Sequence, residues 1–435
     1  MTGPLVRDLS PGIRALTHQD TIARQFDRCV KCGLCLPHCP TYNLTLDESE
    51  SPRGRIALAQ AMASGQLAPS ERLQAHLDHC LVCRACERAC PAEVSYAELI
   101  DSTRVLLAQV DRAPRRERQL RNLFARHSRA ARSLLSMARA WHRSALRPVA
   151  RRSGVLRALG VENLDAALPE STSRFDGAPS YRPSVDVRGE VALFTGCTSP
   201  LLDGETVQAA VEVLTALGFG VVIPEQSCCG AMHQHGGDDR NALELALANA
   251  RAFELLQVDA VLGVASGCTA TLSEYHKLEP PSAEERQCLG RLGAKVHDIN
   301  AFLNAAEWPQ SVHLAPLRAR VLVHEPCSLR NVLRAEAEPY ALLQRIPELT
   351  VAPMPGNNRC CGGAGLYIVT QADIARTLRQ PKLAALAEHP PEYVATSNVG
   401  CALHLKAGIE ELGLPTEVVH PVTLLARQLG VAAHA

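Results

Sequence analysis

The chain has little that would direct it to nucleic acid, into a membrane or out of the cell. Lysine and arginine together number 45, as do aspartate and glutamate, so the zero net charge indicates no nucleic-acid or acidic partner. No uncharged apolar run reaches the ~18 residues typical of a membrane-spanning helix. Residues 1–12 contain charges and prolines where an export signal would have a basic and then an apolar stretch, so we expect no export.

Nucleotide-binding signatures are missing as well. No Gly-x-Gly-x-x-Gly follows a predicted strand and no Walker loop is present, so we expect this chain itself to bind neither flavin nor nucleotide. What the chain does have is 17 cysteines. Without an export signal, they indicate metal ligation in a reducing compartment and not a disulfide framework. The predicted location is therefore the cytoplasm.

The first cysteines form two copies of one spacing, Cys-x-x-Cys-x-x-Cys-x-x-x-Cys-Pro, at residues 29–40 and 80–91. In bacterial ferredoxins with this spacing, three close cysteines hold one 4Fe-4S cluster and the cysteine before proline reaches the other cluster. The predicted ligands of the first cluster are Cys29, Cys32, Cys35 and Cys90. The predicted ligands of the second cluster are Cys80, Cys83, Cys86 and Cys39. Zinc and disulfides fit this duplicated run poorly, because zinc sites normally use well-separated cysteine pairs.

Residues 40–79, between the two runs, have a helical pattern that starts with a cap and a first-turn proline at Ser51 and Pro52. A helical insert of this length favours an all-helical ferredoxin module over the small type with two hairpins. Arg53 and Arg55 stand at the start of this helix. A guanidinium there could hydrogen-bond to cluster sulfur and raise its reduction potential. A solvated helix end is nevertheless the favoured interpretation.

Residues 104–157 contain fifteen arginines but only two acidic residues, Asp111 and Glu117. Apolar residues recur there at nearly helical spacing, which predicts an amphipathic helix with a basic face. Two interpretations stay open: a helix that lies on an anionic membrane surface, and a packed linker helix with a charged outer face.

From residue 189 onward the chain repeats itself. Three cysteine motifs of the first copy recur in the second at offsets of 130, 132 and 133 residues, which indicates a duplication with small loop insertions. Short apolar runs alternate with helical stretches and predict a parallel α/β sheet in each copy. The cysteines follow predicted strands, and the loops at the carboxyl ends of parallel strands converge on one crevice. The cysteines expected to meet as metal ligands are Cys197, Cys228, Cys229 and Cys268 in the first copy and Cys327, Cys360, Cys361 and Cys401 in the second.

The predicted fold class is therefore α+β multidomain, with an all-helical ferredoxin module followed by two tandem α/β Cys-Cys-Gly repeats with parallel sheets. The predicted domains are a ferredoxin module with two 4Fe-4S clusters at residues 1–110, an arginine-rich helical linker at 111–188, the first repeat at 189–315 and the second at 316–435. Sixteen of the 17 cysteines are then assigned, and Cys288 remains as a free thiol.

These motifs resemble the Cys-Cys-Gly domains of heterodisulfide reductase, of the lactate-utilisation proteins, and of the iron-sulfur subunits of anaerobic glycerol-3-phosphate dehydrogenase and glycolate oxidase. The glycolate oxidase iron-sulfur subunit family is the best match, through residues 29–35, 40–42, 52–56, 360–367 and 398–404. The resemblance implies two 4Fe-4S clusters, with further iron-sulfur clusters as an option in the repeats. It implies no catalytic residue on this chain.

The resemblance also implies a role. It points to an electron-transfer subunit that relays electrons from a flavin-containing 2-hydroxy-acid dehydrogenase subunit, which carries the FAD and oxidises glycolate or a similar acid, to a quinone or other membrane acceptor. Peripheral attachment to the inner face of the cell membrane is compatible with this role, and no nucleic-acid partner is expected. The alternatives are the same relay in a glycerol-3-phosphate or lactate dehydrogenase, a catalytic subunit whose repeats reduce a disulfide, and a regulatory or scaffold protein.

One departure from the family pattern concerns the last cysteine of each repeat. In heterodisulfide-reductase-like repeats it belongs to a Cys-x-x-Cys pair, whereas here the second members are Thr271 and His404. Four cysteines per repeat still suffice for one cubane cluster, but the loss of the fifth argues against the non-cubane clusters of those relatives. His404, like His233 and His235, could be a nitrogen ligand, although a hydrogen-bonded histidine is the favoured interpretation.

Overall fold

A computed structural model describes residues 11–110, 146–167 and 172–430, together with isolated positions between residues 119 and 144. The amphipathic helix predicted within residues 104–157 lies largely outside the described residues, since most of 111–145 is not among them. The descriptions of the fold and of the sites below refer to this part of the chain.

The regular secondary structure in the described residues of the amino-terminal module is all helical. Its helices are α1 (Pro11–Arg28), α2 (Pro40–Thr45), α3 (Pro52–Ala63), α4 (Glu71–Asp78), α5 (Ala85–Arg88) and α6 (Tyr96–Val110). Helix α3 begins at the predicted cap, where the Ser51 hydroxyl accepts a 2.9 Å hydrogen bond from the amide of Gly54. Ile22, Ile56 and Leu99 lie in a buried cluster between the helices, so the module has a hydrophobic core of its own.

Three short helices follow, and an internal charge network holds them together. They are α7 (Leu146–Ser153), α8 (Val155–Ala158) and α9 (Glu162–Ala167). Asp165 is buried and accepts hydrogen bonds from Trp141 Nε1 at 2.8 Å, Arg147 Nε at 3.1 Å and Arg151 Nε at 2.7 Å. Arg147, Leu156 and Asp165 are thus buried, whereas most other residues of α7 and α8 are exposed. Both interpretations of the arginine-rich segment therefore stay predictions.

The first repeat contains a five-stranded sheet. Its strands are β1 (Ser180–Tyr181), β2 (Gly189–Phe194), β3 (Phe219–Val222), β4 (Ala260–Gly263) and β5 (Val296–Asp298). They lie in the order β1-β3-β2-β4-β5, and β2 pairs in parallel with both β3 and β4, as predicted. Strand β1, from the segment predicted as linker, adds an antiparallel edge to β3. The helices are α10 (Ser199–Leu202), α11 (Gly204–Ala216), α12 (Ala231–Gln234), α13 (Asp239–Glu254), α14 (Ser266–Ser273), α15 (Ala283–Lys295) and α16 (Ile299–Ala305).

The second repeat has the same topology without the edge strand. Its strands are β6 (Arg320–His324), β7 (Thr350–Pro353), β8 (Tyr393–Thr396) and β9 (Glu417–Val419). They form a parallel sheet in the order β7-β6-β8-β9, which matches the order β3-β2-β4-β5 of the first repeat. The helices are α17 (Glu338–Leu343), α18 (Tyr367–Thr370), α19 (Ala372–Glu388), α20 (Val399–Glu411) and α21 (Pro421–Gln428), and a π-helical turn spans Leu329–Leu333.

The two repeats share one hydrophobic core. Val191 of β2 and Val321 of β6 are fully buried in the same cluster of apolar side chains. Helix α21 of the second repeat packs against α11 of the first. A 2.8 Å hydrogen bond from the amide of Ser266 to the carbonyl oxygen of Ser397 also joins the loops that carry the last cysteine of each repeat. The repeats therefore form one packed unit.

Candidate metal centres

Four cysteines from both runs line one cavity of the amino-terminal module. Cys29, Cys32 and Cys35 meet Cys90 there, as the crossover rule predicts, and Cys86 also borders the cavity. The cavity has about 450 Å³ of empty space and opens at the surface, where Cys32 is exposed. Four thiols around one space provide the donor set of a cubane cluster.

A second cavity lies beside the first. Cys39 from the first run and Cys80, Cys83 and Cys86 from the second run line it, with about 310 Å³ of empty space. Tyr96 borders both cavities, so the two spaces are separated by little more than side chains. The structure therefore brings together both predicted sets of four cysteines.

The two cysteine loops of the module share a strained backbone shape. Lys31 and Val82, each before the second cysteine of its run, have φ of 57° and 51°. Gly33 and Arg84, each after that cysteine, have φ of 85° and 59°. Positive φ in a β-branched residue such as valine is rare and strained, and such strain collects at ligand-holding sites. The amide nitrogen of Val82 lies 3.4 Å from Cys80 Sγ, so this curl turns backbone amides towards sulfur.

Arg55 is buried beside the second cavity, and the prediction that it lies at a solvated helix end is wrong. It is 1% exposed, and its Nη2 lies 2.5 Å from Glu50 Oε2. The other oxygen of this carboxylate, Glu50 Oε1, lies 2.7 Å from His76 Nδ1 and 2.9 Å from His79 Nδ1. Burial acts to lower the pKa of Arg55, but nearby anionic groups raise it above its ordinary value. Arg53, by contrast, is partly exposed at the rim of the first cavity.

In the first repeat the cysteines gather at the carboxyl ends of three strands, as predicted. Cys197 follows β2, the pair Cys228 and Cys229 follows β3, and Cys268 follows β4 in the first turn of α14. Hydrogen bonds from Cys228 and Cys268 hold the pKa of Cys229 well below its usual value. A hydrogen bond from Cys228 likewise lowers the pKa of Cys197. The four sulfur atoms therefore form one connected group.

The second repeat has an equivalent group. Cys327 follows β6, Cys360 and Cys361 follow β7, and Cys401 follows β8 in α20. Hydrogen bonds from Cys360 and Cys401 hold the pKa of Cys361 well below its usual value, whereas contacts with Cys327 and Cys361 raise the pKa of Cys360. All 17 cysteines of the chain are free thiols, so none of these sulfur atoms is committed to a disulfide.

The glycine after each cysteine pair lets a helix approach the cysteines closely. Gly230 and Gly362 have φ of 91° and 90°, a conformation that side chains rarely adopt. A Cβ at Gly362 would lie 2.6 Å from the carbonyl oxygen of Ala375 in α19. A larger residue there would push α19 away from the cysteine pair.

His324, the last residue of β6, reaches the cysteines of the second repeat and was missed in the sequence analysis. One of its ring nitrogens and the sulfur atoms of Cys361 and Cys401 all lie within 4.8 Å of one another, and all three side chains are buried. The available signal was its position three residues before Cys327, within His-Glu-Pro-Cys.

The three histidines considered from the sequence make ordinary hydrogen bonds. Their partners are the carbonyl oxygen of Ala375 for His404 Nε2 at 3.0 Å, Asn122 Oδ1 for His233 Nε2 at 3.1 Å, and Asp101 Oδ1 for His235 Nδ1 at 3.0 Å. Burial lowers the pKa of His404, so its imidazole is neutral near pH 7. These contacts correspond to the favoured interpretation of the three histidines.

The second cavity of the module faces the second repeat. Asn331 donates a 2.7 Å hydrogen bond to the carbonyl oxygen of Cys83, and the Tyr367 hydroxyl donates one of 2.9 Å to that of His79. Cys83 packs in one apolar cluster with Cys327. Burial and then the proximity of Cys327 raise the pKa of Cys83. A cysteine of the module therefore lies near the cysteine group of the second repeat.

Comparisons with known proteins agree with this layout. Residues 25–94 match the 4Fe-4S dicluster domain family, and residues 191–273 and 321–406 match the Cysteine-rich domain family. A "Probable glycolate oxidase iron-sulfur subunit" of Bacillus subtilis (strain 168) is 36% identical over 416 residues, which cover 92% of this chain and 94% of that relative. The chain belongs to the glycolate oxidase iron-sulfur subunit family.

Other relatives extend the comparison. The "Glycolate oxidase iron-sulfur subunit" of Escherichia coli (strain K12) is 33% identical over 424 residues, which cover 93% of this chain and 95% of the relative. "Lactate utilization protein A" of Geobacillus kaustophilus (strain HTA426) is 30% identical over 237 residues, which cover 54% of this chain and 98% of that protein. The two glycolate oxidase subunits thus align with nearly the whole chain, whereas the lactate protein aligns with about half of it.

Family membership confirms the predicted fold class and the iron-sulfur cofactors. The chain is an iron-sulfur electron-transfer subunit of an oxidoreductase, and its dicluster domain carries two 4Fe-4S clusters. The thiols that line each cavity of the module fit that cofactor in number and chemistry. When bound, such clusters accept and release single electrons. No helix in the described part of the chain combines the length and apolar character needed to cross a bilayer.

Proposed function

We propose that the chain relays electrons from a flavin-containing subunit that oxidises glycolate, or a similar 2-hydroxy acid, to a quinone at the inner face of the cell membrane. The observation that carries the proposal is the proximity of Cys83 of the module to Cys327 of the second repeat, because a relay needs neighbouring centres. The names of the Bacillus and Escherichia relatives support the substrate class. A separate flavin subunit agrees with the lack of a nucleotide fingerprint in this sequence.

The proposal includes a ligand set for each centre. We infer that the two 4Fe-4S clusters use the two groups of four cysteines that line the cavities, and that the cysteine group of each repeat holds a further iron-sulfur centre. The connected sulfur atoms in the repeats support this assignment, because several thiolates can lie together in a largely buried site only when a metal offsets their charge. The ligands in order along the relay are Cys29, Cys32, Cys35 and Cys90; then Cys39, Cys80, Cys83 and Cys86; then Cys327, Cys360, Cys361 and Cys401; with Cys197, Cys228, Cys229 and Cys268 in the first repeat.

We place the exchange with the flavin subunit at the first cavity. Its cysteine loop presents Val30 and Leu34 to solvent, 70% and 55% exposed, next to the exposed Cys32. An apolar surface beside an exposed ligand suits a protein partner that must bring its own redox group close. Electrons then pass to the second cluster, which faces the second repeat.

The test replaces one cysteine in each cluster of the module within the purified complex. With Cys32→Ser or Cys83→Ser we expect glycolate to reduce the flavin normally but quinone reduction to be lost. The matched control is Cys288→Ser, because Cys288 lies outside the four cysteine groups. Its buried thiol donates a 3.1 Å hydrogen bond to Glu254 Oε2. If both variants oxidise glycolate and reduce quinone as fast as the control, the relay is wrong.

Lactate is a second candidate substrate for the partner subunit. The support is the similarity to lactate utilization protein A, which nevertheless covers only 54% of this chain. Assays of the purified complex with glycolate, lactate and glycerol 3-phosphate as donors distinguish the candidates. We expect glycolate to give the highest kcat/KM.

A further inference from the structure

We propose that His324 is a metal ligand of the centre in the second repeat, so that the two repeats hold chemically different centres. The proposal rests on the assignment of an iron-sulfur centre to the cysteine group of that repeat under the proposed function. The two repeats have the same cysteine motifs in the same order, at offsets of 130, 132 and 133 residues, so the cysteines alone give no reason to expect different centres.

The position of the imidazole supports ligation. A ring nitrogen of His324 lies with the sulfur atoms of Cys361 and Cys401 in a group whose members are all within 4.8 Å of one another. Metal–nitrogen and metal–sulfur bonds are about 2.0–2.3 Å long, so two ligands of one metal lie within ~4.6 Å of each other. The three donors can therefore share a metal or bind neighbouring irons of one cluster with little movement.

The orientation of the ring supports it as well. His324 Nδ1 lies 2.9 Å from Thr396 Oγ1, and the imidazole also hydrogen-bonds to Cys361. With Nδ1 held by the threonine, Nε2 is the nitrogen that we assign to the metal. The two residues face each other in the pairing of β6 with β8, so the sheet sets this contact. A histidine ligand is usually held by a hydrogen bond at its other nitrogen, which fixes the tautomer and the direction of the ring. His324 is 1% exposed, so the imidazole is shielded from solvent.

The first repeat has no equivalent donor. The residue 130 positions earlier, at the end of β2, is Phe194. Its ring packs among apolar side chains, with the Phe253 ring centroid at 5.9 Å. At this position, therefore, the second repeat has an imidazole beside its four cysteines, whereas the first repeat has an apolar ring. The imidazole adds a neutral donor without adding negative charge.

The first experiment looks for the nitrogen directly. The full chain is produced anaerobically with ¹⁵N-labelled histidine, and the reduced centres are examined by pulsed EPR. We expect a strong nitrogen coupling of a directly bound imidazole in the wild type, and its loss in His324→Phe, which copies Phe194. His297→Phe, the same change at an exposed histidine of β5, is the matched control and is expected to keep the coupling. A wild-type spectrum without the coupling, or a coupling that survives in His324→Phe, overturns the proposal.

The second experiment guards against a variant that only misfolds. His324→Cys places a thiolate donor at the same position, so we expect it to retain iron, to lose the nitrogen coupling and to have a lower reduction potential, because cluster potential falls with added negative charge. Loss of iron in His324→Phe with retention in His324→Cys also identifies a ligand. Equal loss of iron in both variants means a packing role and overturns the proposal.

The readouts separate this proposal from the proposed function, since they need neither substrate nor partner subunit. If Cys401→Ser contains as much iron as the wild type, the second repeat holds no centre. Both the cysteine ligand assignment in that repeat and the ligand role of His324 would then be wrong. If Cys401→Ser loses iron as expected but the wild-type spectrum shows no nitrogen coupling, the centre is present and only the role of His324 is overturned.

Discussion

Asn331 donates a 2.7 Å hydrogen bond from its side-chain amide to the carbonyl oxygen of Cys83, and this contact fastens the amino-terminal module to the second repeat. Asn331 belongs to the π-helical turn Leu329–Leu333, which begins two residues after Cys327. π-Helical turns are rare in proteins, and those that occur are often found at functional sites. One short segment therefore contains both Cys327 and Asn331, the residue that holds the neighbouring cysteine loop by a hydrogen bond.

Replacing Asn331 with alanine removes the hydrogen bond to the carbonyl oxygen of Cys83. We expect docking of the module to weaken by about 1 kcal/mol, the typical net contribution of one hydrogen bond. Electron transfer from the second cluster to the second repeat should slow, and single-turnover reduction followed by rapid-mixing EPR measures that rate. The control is Arg318→Ala, which removes an exposed ion pair with Glu348 far from the cysteines. The same rate in both variants would contradict the proposed route.

The buried pair Arg55 and Glu50 predicts a large stability effect. Arg55→Met leaves the Glu50 carboxylate without its guanidinium partner, a change that typically costs about 3–5 kcal/mol. His76 and His79 remain bonded to the carboxylate, so we expect a loss near the lower end of that range. Urea unfolding of the anaerobic protein measures it.

The double variant Glu50→Gln/Arg55→Met is the control for this pair. It removes both charges, so it is expected to be more stable than Arg55→Met alone. A double variant no more stable than the single one would mean that Arg55 acts through packing and not through charge.

A charge introduced into the exposed cysteine loop of the first cluster is expected to weaken binding of the flavin subunit. Leu34→Glu puts a charge on the apolar surface next to Cys32, and we expect flavin-to-cluster electron transfer at limiting concentrations to fall about tenfold, which corresponds to ~1.4 kcal/mol of affinity. Iron content should not change. Leu159→Glu, at a leucine that is 62% exposed and lies in the linker, is the control. Equal activity of the two variants would place the partner elsewhere.

Asp298 predicts a pH dependence of stability. Burial raises its pKa to about 6, well above the value of 3.8 for an exposed aspartate. The folded state therefore holds the proton more tightly than the unfolded state, so this stabilisation is complete below about pH 4 and is lost as the pH rises through 6. Asp298→Asn removes the charge but keeps an oxygen that can accept the amide of Asn300 at the start of α16.

The variant and the wild type should consequently diverge with pH. At 1.36 kcal/mol per pKa unit, we expect the stability advantage of Asp298→Asn to grow by about 1 kcal/mol between pH 5 and pH 7.5 and then to level off. Urea unfolding at several pH values measures the difference. A constant difference over that range would show that the carboxyl group does not titrate with a raised pKa.

Iron analysis tests the occupancy of the repeats. If each cysteine group holds a four-iron centre, the anaerobically purified chain should contain about sixteen irons, and Cys361→Ser should contain about four fewer. Cys288→Ser should keep the full content. About eight irons in the wild type would confine the clusters to the amino-terminal module.

Much of each site was predictable because the chemistry imposes local rules. Three of the four thiolates of a cubane cluster can come from one tight curl of chain, so the spacing of Cys29, Cys32 and Cys35 was informative by itself. In the repeats, cysteines more than thirty residues apart, such as Cys197 and Cys228, were predicted to meet because parallel strands deliver their carboxyl ends to one edge.

What escaped prediction depends on neighbours that are distant in sequence. Arg55 resembles a surface residue because a charged side chain is seldom buried, and the histidines that complete its network lie 26 and 29 residues beyond Glu50. His324 ends an apolar strand, where a histidine has no characteristic spacing to the cysteine pair that follows β7. The antiparallel edge strand β1 comes from two residues in a segment rich in proline and glycine.

The packing of α21 on α11 has a consequence for biosynthesis. Thr206 and Thr423 meet at 3.5 Å across this contact, although 217 residues separate them in the chain. Domains generally fold in order as they leave the ribosome. The ferredoxin module, with its own core around Ile56, can do so and can receive its clusters early. The first repeat lacks part of its apolar cover until α21 has been synthesised, so its packing is completed only after the strands of the second repeat have been synthesised as well.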